Sequence, residues 1–193
     1  MKVGVLALQG ASARHKSLLA RLDTEAVLLR HPAQLADVGA LVVPGGESTT
    51  MSMLLESSGL FDPIAERIQA GMPTFGTCAG MIVLADSIVD GRDDQRCFGA
   101  LDVEVRRNAY GRQVHSFEAD LEVPALTSGR AEGAFHAIFI RAPVVCRVAP
   151  TVEVLARVDD RPVLCRQGNV LAAAFHPELG DDPRIHELFL SMC

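Results

Sequence analysis

Short apolar runs alternate with amphipathic stretches through the first half of the chain, a rhythm that predicts parallel strands covered by helices on both faces. Val3-Gly4-Val5-Leu6-Ala7-Leu8 is apolar throughout and predicts a buried first strand over residues 2–8. Leu18, Leu19 and Leu22 fall on one face of a helix over 12–22. Glu25 to Arg30 reads as the second strand, and Gly39 to Val43 as the third, closing on Pro44-Gly45-Gly46. Helices follow over 47–57, with Gly59 as a C-terminal stop, and over 62–70. Met51, Met53, Leu54 and Leu55 in the first of them read as helix core. Met72-Pro73-Thr74-Phe75 reads as the next strand, and a helix then runs through Met81, Ile82 and Leu84.

From Phe98 onward the pattern changes. Segments 101–105, 116–123, 137–140, 152–158, 163–166 and 170–175 read as strands with few helices between them, which predicts a mixed sheet or an antiparallel extension. A last helix covers 183–192, with Pro183 suited to its first turn. Residues 90–95 and 127–133 read as surface loops, and no internal repeat or linker interrupts the chain. The expected fold is α/β in three layers, α/β/α, around a mixed, mostly parallel sheet. At 193 residues the chain suits a single domain, 1–193, with a substantial core.

Composition narrows the function classes. Hydrophobic residues make up 49% and charged residues 22%, ordinary for a globular enzyme and far from disorder. A net charge of −6 provides no basic footprint, so no nucleic-acid partner is expected. No apolar stretch approaches the roughly 18–20 residues that span a bilayer, so no membrane partner is expected either. Lys2, the run Val3 to Leu8 and Ala11-Ser12-Ala13 imitate a secretory signal, but the apolar core of about six residues is short of the usual range of roughly 7–15. The five cysteines show no metal-type spacing and cannot all pair, which favours a reducing cytoplasm. Cys146 and Cys165 lie in apolar or strand-like contexts and are expected to be inert core thiols, whereas Cys97 and Cys193 look exposed. No metal and no cofactor is expected.

The remaining cysteine lies in Gly76-Thr77-Cys78-Ala79-Gly80, between a strand and a helix. This is the pattern of a nucleophile elbow with sulfur in place of oxygen, where flanking glycines permit a sharp turn. A helix starting there aims free N–H groups and a positive dipole end at the sulfur, which favours the thiolate. A buried cysteine at an ordinary strand–helix turn would carry the same pentapeptide. Phe175-His176-Pro177-Glu178 follows another apolar run and offers a base and an orienting carboxylate. Pro177 restricts His176 to an extended conformation. The alternative is a strand-end histidine with a solvated glutamate. Pro44-Gly45-Gly46-Glu47-Ser48-Thr49 ends a strand and opens a helix, where backbone N–H groups can face an anion. A phosphate loop is the rival there, but the Walker lysine is missing and Glu47 would repel phosphate. Arg107 and Arg141 each follow a strand and could clamp a carboxylate, with surface salt bridging as the ordinary use.

With these residues in view, nearly the whole chain resembles the glutaminase subunits of pyridoxal 5′-phosphate synthase, within the triad class of glutamine amidotransferases. The landmarks are Leu6-Ala7-Leu8-Gln9-Gly10, the run Pro44 to Met51, the elbow, Arg107-Asn108, Gly111-Arg112-Gln113, Ser116-Phe117-Glu118, Phe139-Ile140-Arg141-Ala142-Pro143 and Phe175 to Leu179. The resemblance implies a flavodoxin-like, class I glutamine amidotransferase fold. It implies that Cys78 forms a glutamyl thioester, that His176 is general base and acid, and that Glu178 orients it. It further implies an oxyanion hole from the N–H groups of Gly46 and Ala79, and L-glutamine bound by Gly46, Glu47, Ser48, Arg107, Ile140 and Arg141. Gln9 and Gly10 match a loop near that hole, thought to settle when the partner docks. The implied partner is the synthase subunit that accepts the ammonia and builds vitamin B6. Segments 91–98 and 123–136, and Arg106 in place of a common acidic residue, depart from the family pattern. A glutaminase serving another acceptor, or a related cysteine hydrolase, is the alternative.

Overall fold

The computed structural model describes residues 1–107, 116–126 and 133–193. Five parallel strands form the centre: β1 (Val3–Leu6), β2 (Ala26–Leu29), β3 (Ala40–Val43), β4 (Thr74–Thr77) and the C-terminal Val170–Ala173. Between the first four lie α1 (Ser12–Arg21), α2 (Ser48–Ser57) and α3 (Phe61–Gln69), and α4 (Ala79–Leu84) follows β4 directly. Next come β5 (Ala85–Ile88), β6 (Leu101–Arg106), β7 (Ser116–Leu121), β8 (Phe135–Ile140) and β9 (Val144–Val148). The chain closes with β10 (Glu153–Val158), β11 (Arg161–Gln167), β12 (Val170–Ala173) and α5 (Arg184–Leu190).

The main sheet runs β10-β11-β12-β4-β3-β1-β2, with β10 and β11 antiparallel at one edge. Its parallel part has the flavodoxin order, in which loops after the strands meet beside the reversal between β1 and β3. The antiparallel extension expected from the C-terminal half is this edge. Alternation along the central strands builds two cores. In β3, Ala40 and Val42 face the layer holding Leu19, Ile185 and Phe189, while Leu41 and Val43 face Met51, Leu55, Phe61 and Ile64. The helical period of about 3.6 residues instead sends Met51 and Leu55 of α2 inward, four positions apart, and leaves Met53 56% exposed, contrary to its reading as core.

Two strands were not legible. α4 is only six residues long, and Ala85 turns to an extended conformation (φ −61°, ψ 159°) to start β5, which pairs with β6. β9 pairs antiparallel with β6 directly after Pro143. Because Val145 of β9 points inward, its neighbour Cys146 is exposed, so the expectation of a core thiol fails there and stands only for buried Cys165. Cys97 is half-buried rather than exposed, and burial pushes its thiol up to about 11. β4 starts at Thr74, later than expected, and continues to Thr77, so the strand runs straight into the elbow. Asn108, the Gly111-Arg112-Gln113 segment and loop residues 127–132 lie outside the described residues.

Close packing of the elbow sets one expectation. A β-carbon added at Gly80 would land on the carbonyl oxygen of Val43 in β3. Helix propensity alone would favour alanine there by about 1 kcal/mol. The obstacle is strand backbone, which cannot swing aside, so the clash wins. Gly80→Ala is expected to cost about 3 kcal/mol, the upper range of overpacking, read as a lower urea midpoint. An unchanged or raised midpoint would show that α4 and β3 can separate freely.

Candidate active site

Cys78 sits between the last residue of β4 and the first of α4, with φ 51° and ψ −107°. A side chain in that conformation is strained by on the order of 1–3 kcal/mol and persists only where its surroundings hold it. They do: the Cys78 N–H donates to the Ala173 carbonyl at 2.8 Å, pinning the elbow to β12. The Sγ lies 3.8 Å from the Ile140 carbonyl oxygen. His176 follows β12, and its N–H donates to Ile138 of β8 at 2.9 Å, so two neighbouring strand ends deliver base and sulfur to one place. A β-carbon at Gly45 would lie 2.6 Å from His176 Cε1 and 3.3 Å from Cys78 Cβ. Only a residue without a side chain fits between them.

His176 Nδ1 and Glu178 Oε1 are 2.8 Å apart, and the Glu178 carboxylate is fully buried. Burial works against the imidazolium, but the Cys78 sulfur and the Glu178 carboxylate beside the ring outweigh it and push His176 up to about 10. Burial would likewise raise Glu178, yet the His176 hydrogen bond holds its carboxyl below the usual range. Imidazole and carboxylate are hydrogen-bonded, and the thiol lines the same pocket as the imidazole, an arrangement able to deliver a nucleophilic sulfur and to shuttle a proton.

The sulfur opens on a pocket of about 190 Å³. Gly46, Glu47 and Ser48 line it from the loop after β3, Ile140 and Arg141 from the end of β8, and Arg107 from the end of β6. Every expected substrate position therefore shares one cavity with Cys78 and His176, and Ile82 of α4 adds an apolar wall that the sequence did not single out. Ala79 is buried at the start of α4, next to the sulfur in sequence, and is not part of the lining. Arg141 has φ 45°, a turn conformation at the pocket rim.

Glu47 has a second occupation. Its carboxylate accepts from the Thr49 N–H at 3.1 Å and the Thr50 N–H at 2.7 Å, capping α2. Burial would raise its pKa, but the hydrogen bonds from Thr50 and Thr49 hold it below the usual carboxylate range. Arg107 is anchored as well: Nη1 donates to Thr49 Oγ1 at 2.6 Å and Nη2 to the Asp90 carbonyl at 2.8 Å. Gln95 Oε1 also accepts from Arg107 Nη1 at 3.4 Å, so the segment 90–95, expected as a plain surface loop, fixes a pocket arginine. Gln9 lies against Gly46 and donates from Nε2 to the Glu47 carbonyl at 2.6 Å, clamping the loop after β1 to the loop after β3.

Behind Glu178 lie two residues that sequence reasoning missed, His15 of α1 and His186 of α5, both fully buried. A signal existed. His15 stands three and four residues before Leu18 and Leu19, on the apolar face of its helix, and His186 lies beside Ile185 among inward-facing positions.

Comparison with known proteins identifies the family. The profile of the SNO glutamine amidotransferase family matches residues 5–193. A pyridoxal 5′-phosphate synthase subunit PdxT from Pelotomaculum thermopropionicum is 53% identical over 193 residues, covering 100% of this chain and 95% of that protein. The PdxT of Mycobacteroides abscessus is 53% identical over 190 residues, 98% of this chain and 96% of its own. Among solved structures, a glutamine amidotransferase crystal structure superposes with a TM-score of 0.90 at 52% identity, covering 98% and 97% of the two chains. PurLQS from Thermotoga maritima shares the fold, with a TM-score of 0.72 at 17% identity over 98% and 97%.

Proposed function

The chain belongs to the SNO glutamine amidotransferase family, and on that premise we propose that Cys78, His176 and Glu178 perform its hydrolysis of L-glutamine to L-glutamate and ammonia. The observation that carries this assignment is that Cys78 shares a pocket walled by Arg107 and Arg141 with His176, whose ring is hydrogen-bonded to buried Glu178. Two guanidinium groups suit the α-carboxylate of an amino acid, and Glu47 opposes them with a charge suited to its ammonium. The ligand enters with its side-chain amide towards the sulfur.

The Cys78 thiolate attacks the amide carbon of glutamine, and the carbonyl electrons move onto oxygen. The N–H groups of Gly46 and Ala79 receive that oxyanion. His176 protonates the amide nitrogen, the C–N bond breaks, and ammonia leaves a γ-glutamyl thioester on Cys78. Water, deprotonated by His176, then attacks the thioester carbon, and the C–S bond breaks to release glutamate and restore the thiolate. Glu178 keeps the imidazole in the useful tautomer throughout. With relatives 53% identical over 95% and 96% of their own length named as pyridoxal 5′-phosphate synthase subunits, the ammonia goes to a synthase subunit for vitamin B6 biosynthesis. The chain acts as one domain, 1–193, in the cytoplasm. Among its described residues no helix is long and apolar enough to cross a membrane.

Glutamate release, measured with glutamine and with peptides, alone and with the synthase subunit, tests this reading. Hydrolysis of glutamine alone among these substrates is expected, rising roughly tenfold or more with the partner, since one oxyanion donor alone is worth on the order of 10²–10³. Full activity without the partner would show that the loop at Gln9 and Gly10 needs no partner to settle beside the oxyanion hole, and peptide cleavage with an adduct at Cys78 would replace the glutaminase by a cysteine peptidase.

A further inference from the structure

The line of polar groups does not stop at Glu178. Its Oε1 is taken by His176, while Oε2 is buried without a hydrogen-bond partner among the described residues. The group facing that free oxygen is His15 Nε2, at 3.4 Å, and the same nitrogen lies 3.3 Å from Thr77 Oγ1, the residue before the nucleophile. On its far side, His15 Nδ1 is 2.9 Å from His186 Nε2. Both rings are fixed edge-on by Phe75 of β4, at 6.4 Å and 5.6 Å between centroids.

Two proton arrangements satisfy the short contact between the histidines. In one, His15 carries its proton on Nδ1 and donates to His186, leaving the lone pair of His15 Nε2 to the Thr77 hydroxyl and facing a carboxylate, and a buried N–H of His186 Nδ1 unpaired. In the other, His186 Nε2 donates to His15 Nδ1, and His15 Nε2–H points at Thr77 and Glu178. The second arrangement replaces a repulsion by an attraction and leaves an acceptor, His186 Nδ1, as the unpaired atom. Orphaned buried donors are rarer than orphaned acceptors. The ionisable groups acting on Glu178 are His176 and His15, on His15 Glu178 and His176, and on His186 His15 and Glu178. Burial holds His15 down at about 4 and His186 at about 3, so both rings are neutral at working pH.

We propose that His15 is a positioning residue for the reaction: as an Nε2–H tautomer set by His186, it directs its N–H at the free oxygen of Glu178 and fixes the carboxylate that orients His176. The role rests on the glutaminase reading above, in which Glu178 serves His176. α1 and α5 then do more than cover the sheet, because each contributes a ring to the line that ends at the sulfur.

Imidazole nitrogen NMR of the full chain and kinetics with the synthase subunit test the proposal together. The spectrum is expected to show His15 neutral and protonated on Nε2 from pH 6 to 8. His15→Leu is expected to lower kcat roughly tenfold or more with KM within about threefold, the split that marks lost transition-state support. Without the donor the carboxylate protonates more readily, so the acid limb of the kcat profile moves to higher pH. His15→Gln, whose amide nitrogen reaches the place of Nε2, restores much of kcat. A His15 proton on Nδ1, or a leucine variant with native kcat and acid limb, or a glutamine variant no better than leucine, would overturn the proposal. The tautomer is read on the resting protein, so it stands or falls separately from the glutaminase reading, which Cys78→Ala tests. Should His15→Leu fail to fold, the wild-type spectrum still decides.

Discussion

Cys78→Ala is expected to abolish glutamate release, with kcat falling by about 10⁴-fold or more, because no other group at the pocket can form the thioester. Cys97 is the other thiol near α4 and is half-buried, but burial holds it protonated, and its Sγ is turned to the Ile82 carbonyl at 3.5 Å. The fold should survive the change, since alanine retains the β-carbon that packs beside Gly45. Cys78→Gly provides a second readout of the same elbow. Glycine adopts φ 51° and ψ −107° freely, while alanine, like cysteine, stores strain there. Strain relief of about 1–3 kcal/mol exceeds the roughly 0.5–1 kcal/mol entropic cost of glycine. The glycine variant should therefore unfold at a higher urea midpoint than the alanine variant, while both are inactive. Residual turnover in Cys78→Ala within about tenfold of the parent would sink the thioester mechanism, and a less stable glycine variant would sink the strain argument.

That elbow also marks how far the sequence could be read. The glycines around Cys78, the apolar runs and the turn at Pro44-Gly45-Gly46 are local signals, and each produced the element expected within two or three residues. The pocket was legible because its residues follow strand ends, and strand ends of a parallel sheet meet at one edge. What escaped depended on pairing rather than on local pattern. Ala85-Asp86-Ser87-Ile88 carries little strand propensity and becomes β5 only because β6 is there to pair with it. Cys146 looked buried until β9 fixed which face it takes. The anchoring of Arg107 by Asp90 and Gln95 crosses between segments that have no shared sequence signature. His15 and His186 are 171 positions apart, and only the packing of α1 and α5 over the same face of β4 joins them.

The same two histidines should make the protein sensitive to acid. In the unfolded chain each titrates near 6.5, whereas in the fold burial holds His15 at about 4 and His186 at about 3. Between those limits the unfolded state binds more protons, so stability falls as pH falls, by about 1.4 kcal/mol per pH unit for each ring. At pH 5 the two together remove about 4 kcal/mol, a large part of a stability of roughly 5–15 kcal/mol. Glu178, whose pKa is depressed, acts in the same direction but only below its ordinary carboxylate range. His176 acts oppositely. Its folded pKa is raised to about 10, so its contribution is complete below 6.5 and is lost as pH climbs towards 10. Stability should therefore peak near pH 6.5–7, falling on the acid side as His15 and His186 titrate and on the alkaline side as His176 and the surface His136, raised by Asp120 and Glu118, lose their protons. Urea midpoints from pH 5 to 9 measure both slopes, and His15→Gln should roughly halve the acid one. A flat profile between pH 6.5 and 5 would mean that water or a shifted helix reaches these rings, and the buried line behind Glu178 would lose its rigidity with them.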